Sequence, residues 1–285
     1  MNGKTVVITG GTSGIGQVAA EKLAGMGARI VLVARDHARG EATLARLRAI
    51  APGRAHRVYY ADLSQLAEMK QVGHEIAAEE PRIDVLINNA GGIFDRRQVT
   101  KDGLEMTFAT NHLSYFVLTA LLGERLAASA PARVVSTSSH AHRRGKLDFA
   151  DLQMEKGYTG LGAYGRSKLC NILFTRELAR RLAGSGVTAN CLHPGFVNTR
   201  FGDQNTGLGS LVFGVMKKFA LTPEQGAETI VYLASSEVPA VVSGAYFYKC
   251  QVTPPTKDAQ DDNAARRLWQ ESERLSGIQA RSAHE

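Results

Sequence analysis

Apolar runs and helix-spaced apolar residues alternate along nearly the whole chain. Lys4–Thr9 is a short β-branched run and Gly10–Gly16 a glycine-rich turn. Gln17–Met26 then spaces its apolar residues as a helix does, and Gly27 follows where a helix end favours glycine. Arg29–Ala34 is a second strand, unbroken in Ile30-Val31-Leu32-Val33. A strand apolar on both faces belongs in a sheet covered on both sides, hence a parallel one. The pattern goes on to predict a helix over Asp36–Ile50, a strand over Arg57–Tyr60 and a helix over Ser64–Glu79 capped by Ser64. Next come a strand at Ile83–Ile87, a long helix over Asp102–Ser129, a strand at Arg133–Thr137 and a helix at Tyr164–Leu182. A strand at Val187–Leu192, a helix at Pro223–Ser235 with proline in its first turn, and a last strand at Ala245–Tyr248 complete the series. This rhythm predicts an α/β fold with a doubly wound parallel sheet (Rossmann fold), as one domain over 1–285.

Two segments break the rhythm. Ser139–Ala163 is a long connection, and Thr199–Thr222 is a glycine-rich insertion carrying Phe201, Leu208, Leu211, Val212, Phe213 and Met216. Both leave the carboxyl ends of strands, where open α/β sheets bind ligands, so the second is read as a substrate loop. A helical tail follows from about residue 254.

The glycines at 10, 14 and 16, with Thr12, Ser13 and Ile15 between them, suit a phosphate cradle between strand and helix. Backbone without Cβ can approach a pyrophosphate and present it to the helix N-terminus. The second strand ends Val33-Ala34-Arg35-Asp36. An acid at its end would hold the ribose hydroxyls of NAD; Ala34 and Arg35 point instead to the 2′-phosphate of NADP(H). Asp62, before Leu63, suits either the adenine amino group or a helix cap. Asn88-Asn89-Ala90-Gly91 ends the fourth strand with residues small enough to lie against a flat cofactor.

The net charge of +7 comes from scattered residues, with Arg143-Arg144, Arg180-Arg181, Lys217-Lys218 and Arg266-Arg267 as isolated pairs. They form no aromatic-laced stripe, which argues against a nucleic-acid partner. Cys170, Cys191 and Cys250 lack metal-ligand spacing and fit a reducing compartment. No run of eighteen apolar residues and no leader pattern is found, so a cytoplasmic protein without a membrane segment or metal is expected.

Tyr164 and Lys168 stand four apart on one helix face. A lysine cation beside a phenol favours the phenolate, as does an oxidised nicotinamide, and so fits Tyr164 for proton transfer. Ser138-Ser139 ends the fifth strand at the same sheet edge, where a hydroxyl can hold a carbonyl oxygen. Asn111 is a polar amide among apolar neighbours in the long helix, placed to hold a water that passes protons toward Lys168. His140 and His142, beside Ser139, could touch substrate, while Cys170 reads as a small core residue.

With these motifs assembled, the chain resembles the short-chain dehydrogenase/reductase family over nearly its full length. The resemblance rests on Thr9–Gly16, Asn88–Gly91, Asn111, the serine pair, Tyr164-Gly-Arg-Ser-Lys168 and His193-Pro194-Gly195 with Thr199. It implies Tyr164 as acid/base, Ser139 as the catalytic serine, Lys168 on the nicotinamide ribose, and Asn111 in a proton relay. It further implies Pro194, Gly195, Val197 and Thr199 against the nicotinamide end. Within the family the chain is similar to the retinol dehydrogenase-like branch, through Val-Ala-Arg-Asp, the Ser139-to-Tyr164 spacing (164 − 139 = 25) and the tail with Arg-Arg-Leu-Trp. That branch implies reduction of an apolar aldehyde or ketone with NADPH, and a homodimer or homotetramer through the two long helices. Vertebrate members carry an N-terminal membrane segment, whereas this sequence opens on its first strand. Two alternatives stand beside this: reduction of a tetrapyrrole or steroid-type double bond, and an NADP(H)-binding sensor without turnover.

Overall fold

The computed structural model describes residues 1–197 and 221–279, so Thr199 and nearly all of the expected substrate loop lie outside the described residues. Eight strands form one sheet in the order β3-β2-β1-β4-β5-β6-β7-β8. They are β1 (Thr5–Thr9), β2 (Arg29–Ala34), β3 (Arg57–Tyr60), β4 (Val85–Asn88), β5 (Ala132–Thr137), β6 (Val187–Leu192), β7 (Tyr246–Tyr248) and β8 (Gln251–Val252). All neighbours pair in parallel except β7 with β8. The order reverses between β1 and β4, with Ile8 opposite Leu32 on one side and Ile87 on the other. Crevices at such switch points are where doubly wound sheets bind ligands.

Both faces of the sheet are covered, as the unbroken apolar strands require. Val7, Val31, Leu86 and Val134 pack against α3 (Leu66–Glu79), α5 (Ser114–Ala128) and α6 (Gly160–Arg181). Val6, Ile8, Ile30, Leu32, Ile87 and Val135 pack against α1 (Gly14–Gly25), α2 (His37–Ile50) and α7 (Pro223–Ser235). Among the described residues no helix is long and apolar enough to cross a membrane.

Several elements depart from the pattern-based reading. Ser64 does not cap α3: its N–H binds the Asp62 carboxylate at 3.0 Å, and the Leu66 N–H that opens the helix binds Asp102 at 2.8 Å. The long helix begins not at Asp102 but with α4 (Met106–Phe108), where the Glu105 carboxylate accepts the N–H groups of Thr107 and Phe108. It then widens into a π turn over Ala109–Leu113 before α5. The helix carrying Tyr164 starts a turn early, at Gly160, capped by Thr159. Glycine is needed there because a Cβ on Gly160 would sit 2.6 Å from the Phe94 carbonyl oxygen.

The tail forms α8 (Asp262–Ser276), capped by Asp261 and closed by Gly277 at φ +64°. Its Trp269 stacks on Phe174 of α6 at 5.8 Å and meets Phe116 of α5 edge-on at 5.1 Å. Arg176 and Arg180 hold Asp262 at 2.9 and 2.6 Å. The chain's own tail therefore covers part of the α5–α6 face expected to serve in self-association.

Candidate active site

The ends of β1, β4 and β5 are tied together by side chains. Thr9 Oγ1 accepts the N–H groups of Asn89 (2.9 Å) and Ala90 (3.0 Å). Asn89 Nδ2 donates to the carbonyls of Thr9 (3.3 Å) and Gly10 (3.2 Å), and its Oδ1 accepts from the Thr137 hydroxyl at 3.2 Å. Gly10 and Gly14 turn through φ of +66° and +54°. A Cβ on Gly10 would lie 2.8 Å from Ala90 Cα, and one on Gly16 would drive into the Gly10 carbonyl and the Asn89 amide. Thr12 and Ser13 form the outer side of this loop, and Ser13 makes no side-chain capping bond. The first turn of α1, at Gly14, Ile15 and Gly16, carries no acid. Its free N–H groups and dipole therefore suit a phosphate, and the backbone cradle fits the pyrophosphate of a dinucleotide.

At the end of β2, Arg35 is exposed, while Asp36 caps α2 by accepting the Arg39 N–H at 2.9 Å. Asp62 stands at the end of β3 within the field of Arg35. Burial pushes its carboxyl up, but the Ser64 N–H and hydroxyl and the Arg35 charge together hold it below the usual range. It caps the turn ahead of α3, not the helix itself. The Leu63 side chain is buried in the core, so what it offers the crevice is backbone.

The serine pair divides its work. Ser138 is buried and donates to the Lys168 carbonyl at 2.8 Å, bracing β5 on α6. Ser139 accepts the Ala141 N–H at 3.1 Å and is hydrogen-bonded to the Tyr164 phenol. Its position on the cleft side follows from the first serine being spent on packing.

Lys168 Nζ donates to the Thr137 carbonyl at 3.0 Å and lies 5.6 Å from the Tyr164 ring centre. Burial pushes its pKa down to about 7. Burial likewise pushes the half-buried Tyr164 up to about 12, against the opposing pull of Ser139.

Asn111 sits in the π turn. Its Oδ1 accepts the Gly92 N–H at 2.8 Å, and its Nδ2 donates to the Gly92 carbonyl (2.9 Å) and Ser167 Oγ (3.0 Å). The side chain is committed to holding the Gly91–Gly92 backbone, and a water bound for Lys168 would have to use the Asn111 carbonyl. Pro194, Gly195 and Val197 leave β6 beside α1: Gly195 turns through φ +86°, and Val197 and Ile15 both close on Gly226 of α7.

His142 is turned away from substrate. It is buried, with Nδ1 2.7 Å from the Ser139 carbonyl and Nε2 accepting from the Thr256 N–H at 3.4 Å. His140 is exposed, its ring 5.7 Å from that of His193. Cys170 is fully buried and its thiol is pushed up to about 12, which removes it as a proton donor to the cleft.

Residues 4–207 match the family model for short chain dehydrogenases. The chain belongs to the short chain dehydrogenase family. Human retinol dehydrogenase 13 is 42% identical over 290 residues, spanning 99% of this chain and 87% of that protein. A solved protein from Mycobacterium paratuberculosis superposes with a TM-score of 0.79 at 34% identity, covering 98% of this chain and 95% of its own. The Pseudomonas aeruginosa RhlG/NADP active-site complex gives a TM-score of 0.69 at 27% identity, over 87% of this chain and 94% of its own. This short chain dehydrogenase therefore lies in the retinol dehydrogenase-like branch and is an oxidoreductase of alcohol and carbonyl groups.

Sequence reasoning missed the parts of the dehydrogenase site that bond to backbone groups or supply them. Thr9 looks like an ordinary strand end, and Thr137 contributes its carbonyl, which no residue type advertises. Asn171 had a signal: like Asn111, it is an amide within an apolar helical run.

Proposed function

We propose that the chain is an NADP(H)-dependent reductase of apolar aldehydes or ketones, with Tyr164 as the proton donor. The observation that carries this is the meeting of Ser139, Tyr164 and Lys168 beside the glycine cradle, at the point where the sheet order reverses. Gly10, Thr12, Ser13, Gly14, Ile15 and Gly16 would hold the pyrophosphate, Arg35 the 2′-phosphate, and Asp62 and Leu63 the adenine edge. Asn89, Ala90, Gly91, Tyr164, Lys168, Pro194, Gly195, Val197 and Thr199 would receive the nicotinamide riboside. When bound, NADPH supplies the hydride.

The protein's part is position and proton. Ser139, its lone pair engaged by the Ala141 N–H, has its O–H to give to a substrate carbonyl oxygen. The Tyr164 proton passes to that oxygen as the carbon is reduced, leaving an alcohol and a phenolate. Lys168 stabilises the phenolate, and Asn111 holds the Gly92 backbone next to Gly91, which borders the lysine. For the oxidation, the same proton moves in reverse.

Exposed apolar side chains support the substrate class: Leu161 (52% exposed) lies one turn before Tyr164, and Phe196 (43%) follows Gly195. For NADP(H) over NAD(H), the support is an exposed Arg35 and an Asp36 already engaged at its cap. Residence in the cytoplasm is supported by the three free thiols; fractionation of cells producing the chain checks it, and membrane recovery would reject it. Self-association as a homodimer or homotetramer would use the part of α5 and α6 that α8 leaves open, and light scattering giving one chain's mass would reject it. The functional test is NADPH oxidation across aliphatic, aromatic and polyene aldehydes and ketones: turnover of apolar members is expected, and tight NADPH binding with no turnover of any would overturn the reading.

A further inference from the structure

Asn171 is three residues beyond Lys168 and seven beyond Tyr164, on the same face of α6, and it is fully buried. Both hydrogens of its Nδ2 are used, one on the Asn111 carbonyl at 3.0 Å and one on the Thr137 carbonyl at 3.2 Å. The Thr137 oxygen is the one that accepts Lys168 Nζ at 3.0 Å. One carbonyl thus carries the amide and the ammonium together. The other belongs to the π turn, where a loosened backbone ladder leaves carbonyls to side-chain donors; Thr110, next to Asn111, gives its oxygen to Ser114 Oγ at 2.7 Å. The Oδ1 of Asn171 faces His112, so the contacts toward Asn111 and Thr137 are those that the amide donates.

We propose that Asn171 is a positioning residue of the reaction: by tying the Asn111 and Thr137 carbonyls together, it fixes where the Lys168 ammonium sits relative to Tyr164. This rests on the Tyr164–Lys168 reading above. Without the amide, two buried carbonyls lose a donor, and the ammonium beside them has further hydrogens to give. The cation moves toward Asn111 and away from the phenol. The titratable groups facing Lys168 are Tyr164 on its own helix and Tyr115 on α5, at 5.6 and 5.7 Å from their ring centres, and His112 faces Asn171 from the π turn. Both tyrosines are raised by burial and His112 is lowered by it, so all three stay neutral and none compensates a displaced cation.

The test uses two near-isosteric variants of the full chain. Asn171→Leu removes the donor at every pH; Asn171→Asp regains one donor only when its carboxyl is protonated. The readout is the pH profile of kcat for NADPH-dependent reduction of an apolar aldehyde, with Tm measured alongside. In Asn171→Leu kcat at neutral pH is expected to fall about tenfold. In Asn171→Asp the rate recovers toward that of the unaltered chain as pH falls. A kcat equal to that of the unaltered chain in both variants, or a loss of equal size at every pH in both, would overturn the proposal. Should Asn171→Leu fail to fold, the pH-dependent recovery of Asn171→Asp decides alone. If Tyr164→Phe itself keeps full turnover, the Tyr164–Lys168 reading fails; if that variant is dead and the Asn171 variants behave as the unaltered chain, this inference alone fails.

Discussion

Gly16→Ala perturbs the cradle at its tightest point. A methyl at this position meets the Gly10 carbonyl oxygen and the Asn89 amide nitrogen, both inside the 3.0 Å that Cβ atoms keep. Neither neighbour can swing aside. The Gly10 carbonyl accepts Asn89 Nδ2 at 3.2 Å, and Asn89 is held in turn by its own N–H on Thr9 at 2.9 Å and by Thr137 at 3.2 Å. Relief must therefore come from moving the loop off β4. Overpacking of this kind costs about 1–3 kcal/mol. If that cost falls on the phosphate cradle, NADPH binding weakens by about ten- to hundredfold, since about 1.4 kcal/mol is a factor of ten. The assay is NADPH fluorescence titration, with urea unfolding to separate cradle distortion from global instability. Gly123→Ala is the control: it lies in α5 with nothing within 4 Å of the added methyl, and alanine there should stabilise by about 0.5–1 kcal/mol. An NADPH Kd for Gly16→Ala no weaker than that of Gly123→Ala would refute the reasoning.

Arg35→Ala should weaken NADPH by about tenfold or more while leaving NADH within about twofold, because a charge-assisted bond to the 2′-phosphate is lost; equal loss for both cofactors would remove Arg35 from that role. Trp269→Ala should lower unfolding stability by about 3–5 kcal/mol, read by denaturant titration, since the indole fills the contact between α5, α6 and α8; a cost under about 1 kcal/mol would mean the tail is not docked. His112 has its pKa pushed down to about 4 by burial, below its ordinary 6.5, so the unfolded chain binds the extra proton between these values. Stability from this group is complete above about pH 6.5 and is lost as pH falls toward about 4, by a few kcal/mol. The slope of urea stability against pH in that window should flatten in His112→Asn; an unchanged slope would show that the imidazole is not buried neutral.

Much of the fold was legible because parallel strands covered on both faces carry unbroken apolar runs, as β2 does at Ile30–Val33. Boundaries were lost where tertiary contacts overrode local signals. Gly160 reads as loop, yet it opens a helix capped by Thr159, and glycine is required there because the Phe94 backbone lies against it. The π turn at Ala109–Leu113 carries an ordinary helical pattern and was invisible, although it is what exposes the Asn111 carbonyl. Ser139, Tyr164, Lys168 and Asn111 were legible as side-chain chemistry. The carbonyl of Thr137, on which Lys168 and Asn171 converge, was not, because any residue type supplies the same atom. His142, grouped with substrate contacts on adjacency to Ser139, is drawn inward by the Ser139 carbonyl and the Thr256 N–H.

The most direct test of the central claim is the kcat of Tyr164→Phe for NADPH-dependent reduction of an apolar aldehyde, with NADPH affinity measured on the same preparation. A fall of about a hundredfold or more is expected, with NADPH Kd within about threefold of the unaltered chain. Retention of more than about a tenth of the activity, with the cofactor still bound, would contradict Tyr164 as the proton donor and with it the account of the site.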